Sequence, residues 1–82
     1  MLWVIEETRD CGVHWRRAEY TACYRHPRVA VLEAMEIIRD EWRPSEHSWR
    51  QLVHALERER VAYYWERGIR IVRPGDHRSP IA

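Results

Sequence analysis

Residues 61–73 carry the sequence VAYYWERGIRIVR. Residues that favour strands dominate on both sides of a turn that ends at Gly68, so this stretch predicts a β-hairpin in which Gly68 supplies a positive φ. The alternative prolongs the preceding helix to Arg67, with Gly68 as its C-terminal cap. We favour the hairpin because Glu59 and Arg60 interrupt the apolar stripe of that helix.

The faces of this hairpin follow from the alternation of side chains along a strand. The residues predicted to point into the core are Val61, Tyr63, Trp65, Ile69 and Ile71. Tyr64 and Arg70 are then predicted to lie on the opposite, exposed face.

Two helices are predicted upstream. The first begins near Pro27, because a proline N–H would lack a partner in the first helical turn anyway, and it extends to Trp42. Arg43-Pro44 ends it, since the residue before proline is pushed out of the helical region. Ser45 is a suitable N-cap for the second helix. The predicted core stripes are Val31, Leu32, Met35, Ile38 and Trp42 in the first helix and Trp49, Leu52, Val53 and Leu56 in the second.

The N-terminal third predicts another hairpin, formed by Leu2–Asp10 and Val13–Tyr24 across a turn at Cys11-Gly12. Alternation in its second strand places Ala18, Tyr20, Ala22 and Tyr24 toward the core and Trp15, Arg17, Glu19 and Thr21 on the other face. We therefore predict a small single α+β domain over residues 1–73. A mostly antiparallel sheet of two hairpins packs on two helices in the order β-β-α-α-β-β, and residues 74–82 form a loose tail.

Composition narrows the class of protein. The chain has fourteen arginines, no lysine, asparagine or phenylalanine, and five tryptophans, a bias typical of a GC-rich bacterium or its phage. Much of the arginine content is therefore uninformative about function, and the formal net charge of +1 gives no strong global field. The apolar run Leu2–Ile5 is too short for a signal peptide or a membrane span, which predicts a cytoplasmic protein without membrane partners.

Two Cys-x-x-His pairs, Cys11 with His14 and Cys23 with His26, would together supply a tetrahedral zinc set. The predicted strand opposes a shared ion, because about 3.3 Å per residue separates the two cysteines by roughly 40 Å. A zinc site would require residues 15–22 to form a tight turn, yet they contain no Gly, Pro, Asn or Asp. We predict reduced thiols, no zinc and no other cofactor.

The sequence has no phosphate loop, nucleophile elbow or zinc-protease motif, so we predict a protein without enzymatic activity. A small ribonuclease of the kind found among bacterial toxins stays an alternative, since it would need only His and Arg side chains. From residue 58 onward six arginines outnumber three acidic residues. Their interleaving with Tyr63, Tyr64 and Trp65 is typical of nucleic-acid binding, although a sheet edge guarded by charge explains the same pattern.

Protein binding is the function that the composition favours, because Trp, Tyr and Arg are enriched in binding hot spots. Trp15 lies beside Arg17 on the strand face opposite the core, and so small a chain lacks a layer to cover both faces of its sheet. The predicted partner-binding residues are Trp15, Arg17, Tyr64, Arg70 and Arg73. The predicted function is an accessory or inhibitor protein that contacts another protein or a second copy of itself.

Overall fold

The computed structural model describes residues 2–74 and shows the predicted small α+β fold, with two helices and a four-stranded antiparallel sheet. The elements are β1 (Val4–Thr8), β2 (Arg16–Arg17), α1 (Pro27–Ile37), a π-helical turn (Ile38–Trp42), α2 (Glu46–Glu59), β3 (Val61–Tyr64) and β4 (Arg67–Val72). Within residues 2–74 no helix is long and apolar enough to cross a membrane. Residues 75–82, most of the predicted tail, lie outside the described residues.

The strand order in the sheet is β2-β1-β4-β3, so β1 and β4 pair at its centre. Their register sets Ile5 opposite Ile71 and Glu6 opposite Arg70. Directly opposed residues of an antiparallel pair share a face, and both isoleucines are buried in the core beneath the helices. We call that side the helix-covered face and the side that carries Glu6 and Arg70 the open face.

α1 packs against β4 and β1 through a stripe that contains two small residues. Ala30 and Ala34 are fully buried, and Val31 and Ile38 complete the stripe. Leu32, predicted to be a core residue, is exposed instead. At 3.6 residues per turn it lies about 200° around the helix from Ala30, so the alanines that approach the sheet turn Leu32 toward solvent.

The chain turns sharply between the two helices. The π-helical turn closes with the Arg43 amide donating to the Ile38 carbonyl oxygen at 3.1 Å. Arg43 adopts a left-handed φ of 47° directly before Pro44. The Ser45 hydroxyl then accepts a hydrogen bond from the Ser48 amide at 3.2 Å. The predicted helix break and the predicted N-cap are both confirmed.

α2 buries Leu52 and Leu56, and Trp49 packs against the same core. The helix ends where Arg60 takes a left-handed φ of 61° and its amide donates to the Leu56 carbonyl oxygen. β3 begins at the next residue, so the alternative in which the helix continues to Arg67 is wrong.

The C-terminal hairpin is confirmed, but its turn is one residue shorter than predicted. A two-residue turn begins at Trp65, which has a φ of 58°, and Tyr64 pairs with Arg67 across it. A shift of one residue in register moves a strand's side chains to the other face. Ala62 and Tyr64 therefore point toward the helices, and the inward orientation predicted for Val61, Tyr63 and Trp65 is wrong.

Gly68 lies inside β4, opposite Tyr63, and not at the positive φ that the sequence predicted. A Cβ atom at this position would lie 2.8 Å from Cδ1 of Tyr63 and 2.9 Å from Cγ2 of Thr8. Gly68 is therefore required by the close approach of the Tyr63 ring to the backbone, and not by turn geometry.

The N-terminal hairpin is much shorter than predicted. Only Arg16–Arg17 forms a ladder with β1, and a single bridge at Tyr24 follows further along the chain. Tyr20, predicted to face the core, has a φ of 61° and is fully exposed, and Ala22 is exposed as well. A left-handed residue cannot continue a strand, so the alternation fails after Ala18, which is buried as predicted.

Candidate functional site

A row of charged residues crosses the open face of the sheet. Arg17 pairs with Glu6 in one ladder, and Glu6 pairs with Arg70 in the next. The Glu6 side chain is buried, and Nη2 and Nε of Arg70 lie 2.7 and 2.9 Å from its Oε1. Arg17 is exposed and donates from Nη2 to Sγ of Cys23 at 3.1 Å. The centre of the open face is therefore an ion pair between the buried Glu6 carboxylate and the half-buried Arg70 guanidinium.

Trp15 covers this ion pair. Its ring lies over the Arg70 guanidinium, with 4.1 Å between Cζ and the ring centroid, and it meets Tyr63 edge-on at a centroid distance of 6.0 Å. The predicted face of Trp15 is right, but the residue is half-buried. The β1–β2 loop (residues 9–15) thus supplies part of the covering layer that we expected the chain to lack.

The carboxylate of Asp10 organises the β1–β2 loop. It accepts hydrogen bonds from the His14 amide at 2.9 Å and the Thr8 hydroxyl at 2.7 Å, and it lies 2.6 Å from Nδ1 of His14. These partners, the His14 amide foremost, hold the pKa of Asp10 well below its usual range, because they stabilise its charged form. The Cys11 amide donates to the Glu66 carbonyl oxygen at 2.9 Å, which ties the loop to the β3–β4 turn.

Three large apolar side chains are exposed near the end of the sheet where β1 and β3 finish. They are Trp65 at 81%, Val13 at 73% and Tyr63 at 52% exposure. Val13 belongs to the β1–β2 loop, and Trp65 opens the turn to which that loop is hydrogen-bonded. The Trp65 ring lies edge-on to Tyr64 at a centroid distance of 6.3 Å. Together with the half-buried Trp15, these residues form what we call the turn-end surface.

Two predicted binding residues lie elsewhere. The prediction that Tyr64 shares a face with Trp15 is wrong, because Tyr64 stacks on Trp42 at a centroid distance of 6.4 Å, with the rings 9° from parallel. Arg73 lies at the opposite end of the sheet, where its Cζ is 5.5 Å from the ring centroid of Trp3. Trp15, Arg17 and Arg70 are brought together as predicted, and the role of all five residues in binding stays a prediction.

Tyr63 and Trp65 are exposed, whereas the sequence pattern predicted both to be core residues. One signal was available in the sequence. A charged pair, Glu66-Arg67, follows Trp65 directly, and charged residues beside an aromatic residue suit the tip of a hairpin better than its interior. A predicted turn at Trp65-Glu66 would have placed Tyr63 on the exposed face of β3 and Tyr64 on the face toward the helices.

The structure does not bring the four potential zinc ligands, Cys11, His14, Cys23 and His26, together. Cys11 and Cys23 are both exposed and free of disulfides, and His14 is turned to Asp10. Over residues 2–74, no group of three or more His, Cys, Asp or Glu side chains is arranged to hold a metal ion.

The chain matches no protein-family model, no curated protein and no solved structure.

Proposed function

We propose that this chain is a small non-enzymatic binding module that contacts a partner protein through the turn-end surface. The observation that carries the proposal is that Trp65, 81% exposed at a φ of 58°, lies at the end of the sheet that also exposes Tyr63 and Val13. Tyr20 has a similar exposure and φ but lies outside this group. A left-handed conformation costs a residue with a Cβ roughly 1–2 kcal/mol, and glycine is preferred where a two-residue hairpin turn needs a positive φ. Glycine would suit the backbone of this turn better, and the indole stays 81% exposed although its ring meets Tyr64 edge-on, which supports a role for its exposed surface outside the fold.

The surroundings of Trp65 support the same role. Trp and Tyr are over-represented in binding hot spots, and the turn-end surface contains Trp15 and Tyr63 as well. The β1–β2 loop is anchored internally by Asp10 and to the hairpin turn by Cys11, which lowers the entropy cost of ordering it in a complex. The net charge of +1 supports a protein partner over a nucleic acid.

The test compares Trp65→Gly with Tyr20→Gly. Both substitutions remove an exposed aromatic side chain from a left-handed residue, so Tyr20→Gly is expected to preserve or raise the melting temperature. Trp65→Gly also removes the edge-on contact with Tyr64, worth about 0.5–1.5 kcal/mol, which the relief of the left-handed conformation offsets, so its melting temperature is expected to change little. Tyr20 follows β2 and is not part of the turn-end surface, which makes it the matched control. A photo-crosslinking residue in place of Val13 identifies the protein in contact with the surface inside the native host.

With that protein purified, Trp65→Gly is expected to weaken binding by about 30-fold or more, equivalent to about 2 kcal/mol. Tyr20→Gly is expected to leave the dissociation constant unchanged. Unchanged affinity of the Trp65→Gly variant, or the absence of any crosslinked protein, contradicts the proposal. Crosslinking to a second copy of the chain would identify the partner as the chain itself.

One observation favours a second candidate, the binding of single-stranded nucleic acid. Arg9, Glu66 and Arg67 line a depression of about 310 Å³, and Trp65 precedes Glu66 in the chain. Arginines that contact phosphates and an exposed indole that stacks on a base are typical of such binding. We expect oligonucleotide affinity to be micromolar or weaker at physiological salt. Nanomolar affinity that Arg67→Ala reduces would make this candidate the better account.

A further inference from the structure

The edge strand β3 is itself free of the charged residues and prolines that commonly prevent pairing with another chain. β3 is an edge strand by its place in the strand order, and its sequence Val61–Tyr64 contains no charged residue and no proline. Natural edge strands are commonly guarded by charge, proline or a bulge. Charged residues lie just outside β3, at Arg60 and at Glu66-Arg67, so the four residues of β3 form a short uncharged edge.

The backbone of β3 offers hydrogen-bonding groups along this edge. The Arg60 carbonyl oxygen accepts a bond from the Ile71 amide at 2.9 Å. Bonded and non-bonded positions alternate in an antiparallel pair, so Ala62 exchanges hydrogen bonds with β4 while Val61 and Tyr63 direct theirs outward. Among residues 2–74, no other strand or loop pairs with these two residues along the edge.

A groove runs along this edge because α2 packs over β3. Its volume is about 250 Å³. The lining residues are Ser48, Gln51, Leu52 and Ala55 of α2 with Tyr63 and Tyr64 of β3, and none of them is charged. The groove thus has a strand edge on one side and an uncharged helix flank on the other.

We infer that this groove binds an extended segment of a partner protein, which adds to β3 as a fifth strand. The inference rests on the proposed function as a protein-binding module and specifies the kind of partner. Backbone hydrogen bonds to Val61 and Tyr63 hold the segment, as in other cases of strand addition. Side chains of the segment that face α2 are small or uncharged, because an ion there would lose water without meeting an opposite charge.

A second copy of the chain does not fit the same edge. Paired strands lie about 4.8 Å apart, whereas packed helices need about 8–10 Å between their axes. Since α2 lies over β3, pairing β3 with β3 of another copy would force the two α2 helices into the same space. The geometry therefore favours a segment that brings no helix with it.

The probe is a set of peptides selected from a displayed random library against the full chain. Each selected peptide is resynthesised with a single N-methyl group at successive positions, which removes one backbone donor at a time. A strand in the groove should lose about tenfold in affinity at every second position and little at the positions between, because donors of an added strand alternate in direction.

The protein side of the test compares Tyr63→Pro with Tyr63→Val. Both variants lose the ring, but only proline removes the outward N–H, and proline is tolerated at such a position of an edge strand. Circular dichroism and thermal melting confirm that both variants fold. Tyr63→Pro is expected to bind the peptides about tenfold more weakly than Tyr63→Val.

Equal affinity of the two variants, the same N-methyl effect at every position, or failure to select any peptide would overturn the inference. Peptides that lose affinity with Trp65→Gly but are indifferent to Tyr63→Pro would also overturn it, while leaving the proposed function intact. Concentration-dependent dimers that Tyr63→Pro abolishes would replace the peptide with a second copy of the chain.

Discussion

Replacement of Trp15 by alanine is expected to lower the free energy of unfolding by about 2–3 kcal/mol. Truncation of a fully buried Phe or Trp costs about 3–5 kcal/mol, and because Trp15 is half-buried, its packing accounts for about 2 kcal/mol. Loss of the 4.1 Å contact between the Arg70 guanidinium and the indole ring removes roughly 0.5–1 kcal/mol more.

Urea unfolding followed by circular dichroism measures this loss, which should also appear as a fall of roughly 10–20 °C in Tm. Arg17→Ala is the control, since Arg17 is exposed on the same face and its substitution is expected to change stability by no more than about 0.5 kcal/mol. A loss of less than about 0.5 kcal/mol for Trp15→Ala would refute the argument that the indole shields the ion pair of Glu6 and Arg70.

Two further predictions concern close contacts near the turn-end surface. Gly68→Ala is expected to lower the free energy of unfolding by about 1–3 kcal/mol because the added methyl would lie 2.8 Å from a Tyr63 ring carbon. Thermal melts of a double-mutant cycle with Tyr63→Ala should show that the two substitutions are strongly coupled. Additive effects on stability would contradict the prediction. The folded state lowers the pKa of Asp10, so the stability contributed by its ionised form is present above its unfolded pKa and lost as pH falls through the lower folded value. An NMR titration of the Asp10 carboxyl carbon should therefore give a midpoint below the ordinary 3.8, and a midpoint at or above that value would show that the hydrogen bonds from His14 and Thr8 do not form in solution.

Local signals in the sequence predicted the helical half of the fold. Pro44 excludes the helical region for the residue before it, and the Ser45 hydroxyl caps the next helix, and both effects depend on neighbours within a few residues. The end of α2 was predicted for a similar reason, since the apolar stripe stops before Arg60. Such features need no knowledge of the tertiary structure.

The faces of the strands could not be predicted in the same way. A single residue more or less in the β3–β4 turn decides whether Tyr63 or Tyr64 points toward the helices, and Gly68 is a more obvious turn residue than Trp65. The left-handed conformation of Trp65 opposes its intrinsic preference, so no propensity rule would place the turn there.

The candidate site was predicted in part. The predicted face of Trp15 is correct although most of its predicted strand does not form. Arg16 and Arg17 do pair with β1, and their pairing sets the alternation of side chains next to Trp15. The contact between Trp15 and Arg70 joins segments far apart in the chain. Pairings of this range depend on the order of strands in the sheet, which the sequence pattern left open.

That order has a consequence for how the chain folds during synthesis. Glu6 and Arg70, paired at the centre of the sheet, are 64 positions apart, so β1 leaves the ribosome roughly 3–13 s before β4 at about 5–20 residues per second. Folding must wait for β4, which proteolysis of stalled nascent chains would reveal as sensitivity until the last strand emerges. During that interval β1 is unpaired and its apolar residues Val4 and Ile5 are exposed. The charges of Glu6 and Glu7, which follow directly, disfavour pairing of β1 with other nascent chains. The two carboxylates that are buried in the finished domain thus act first as solubilising groups.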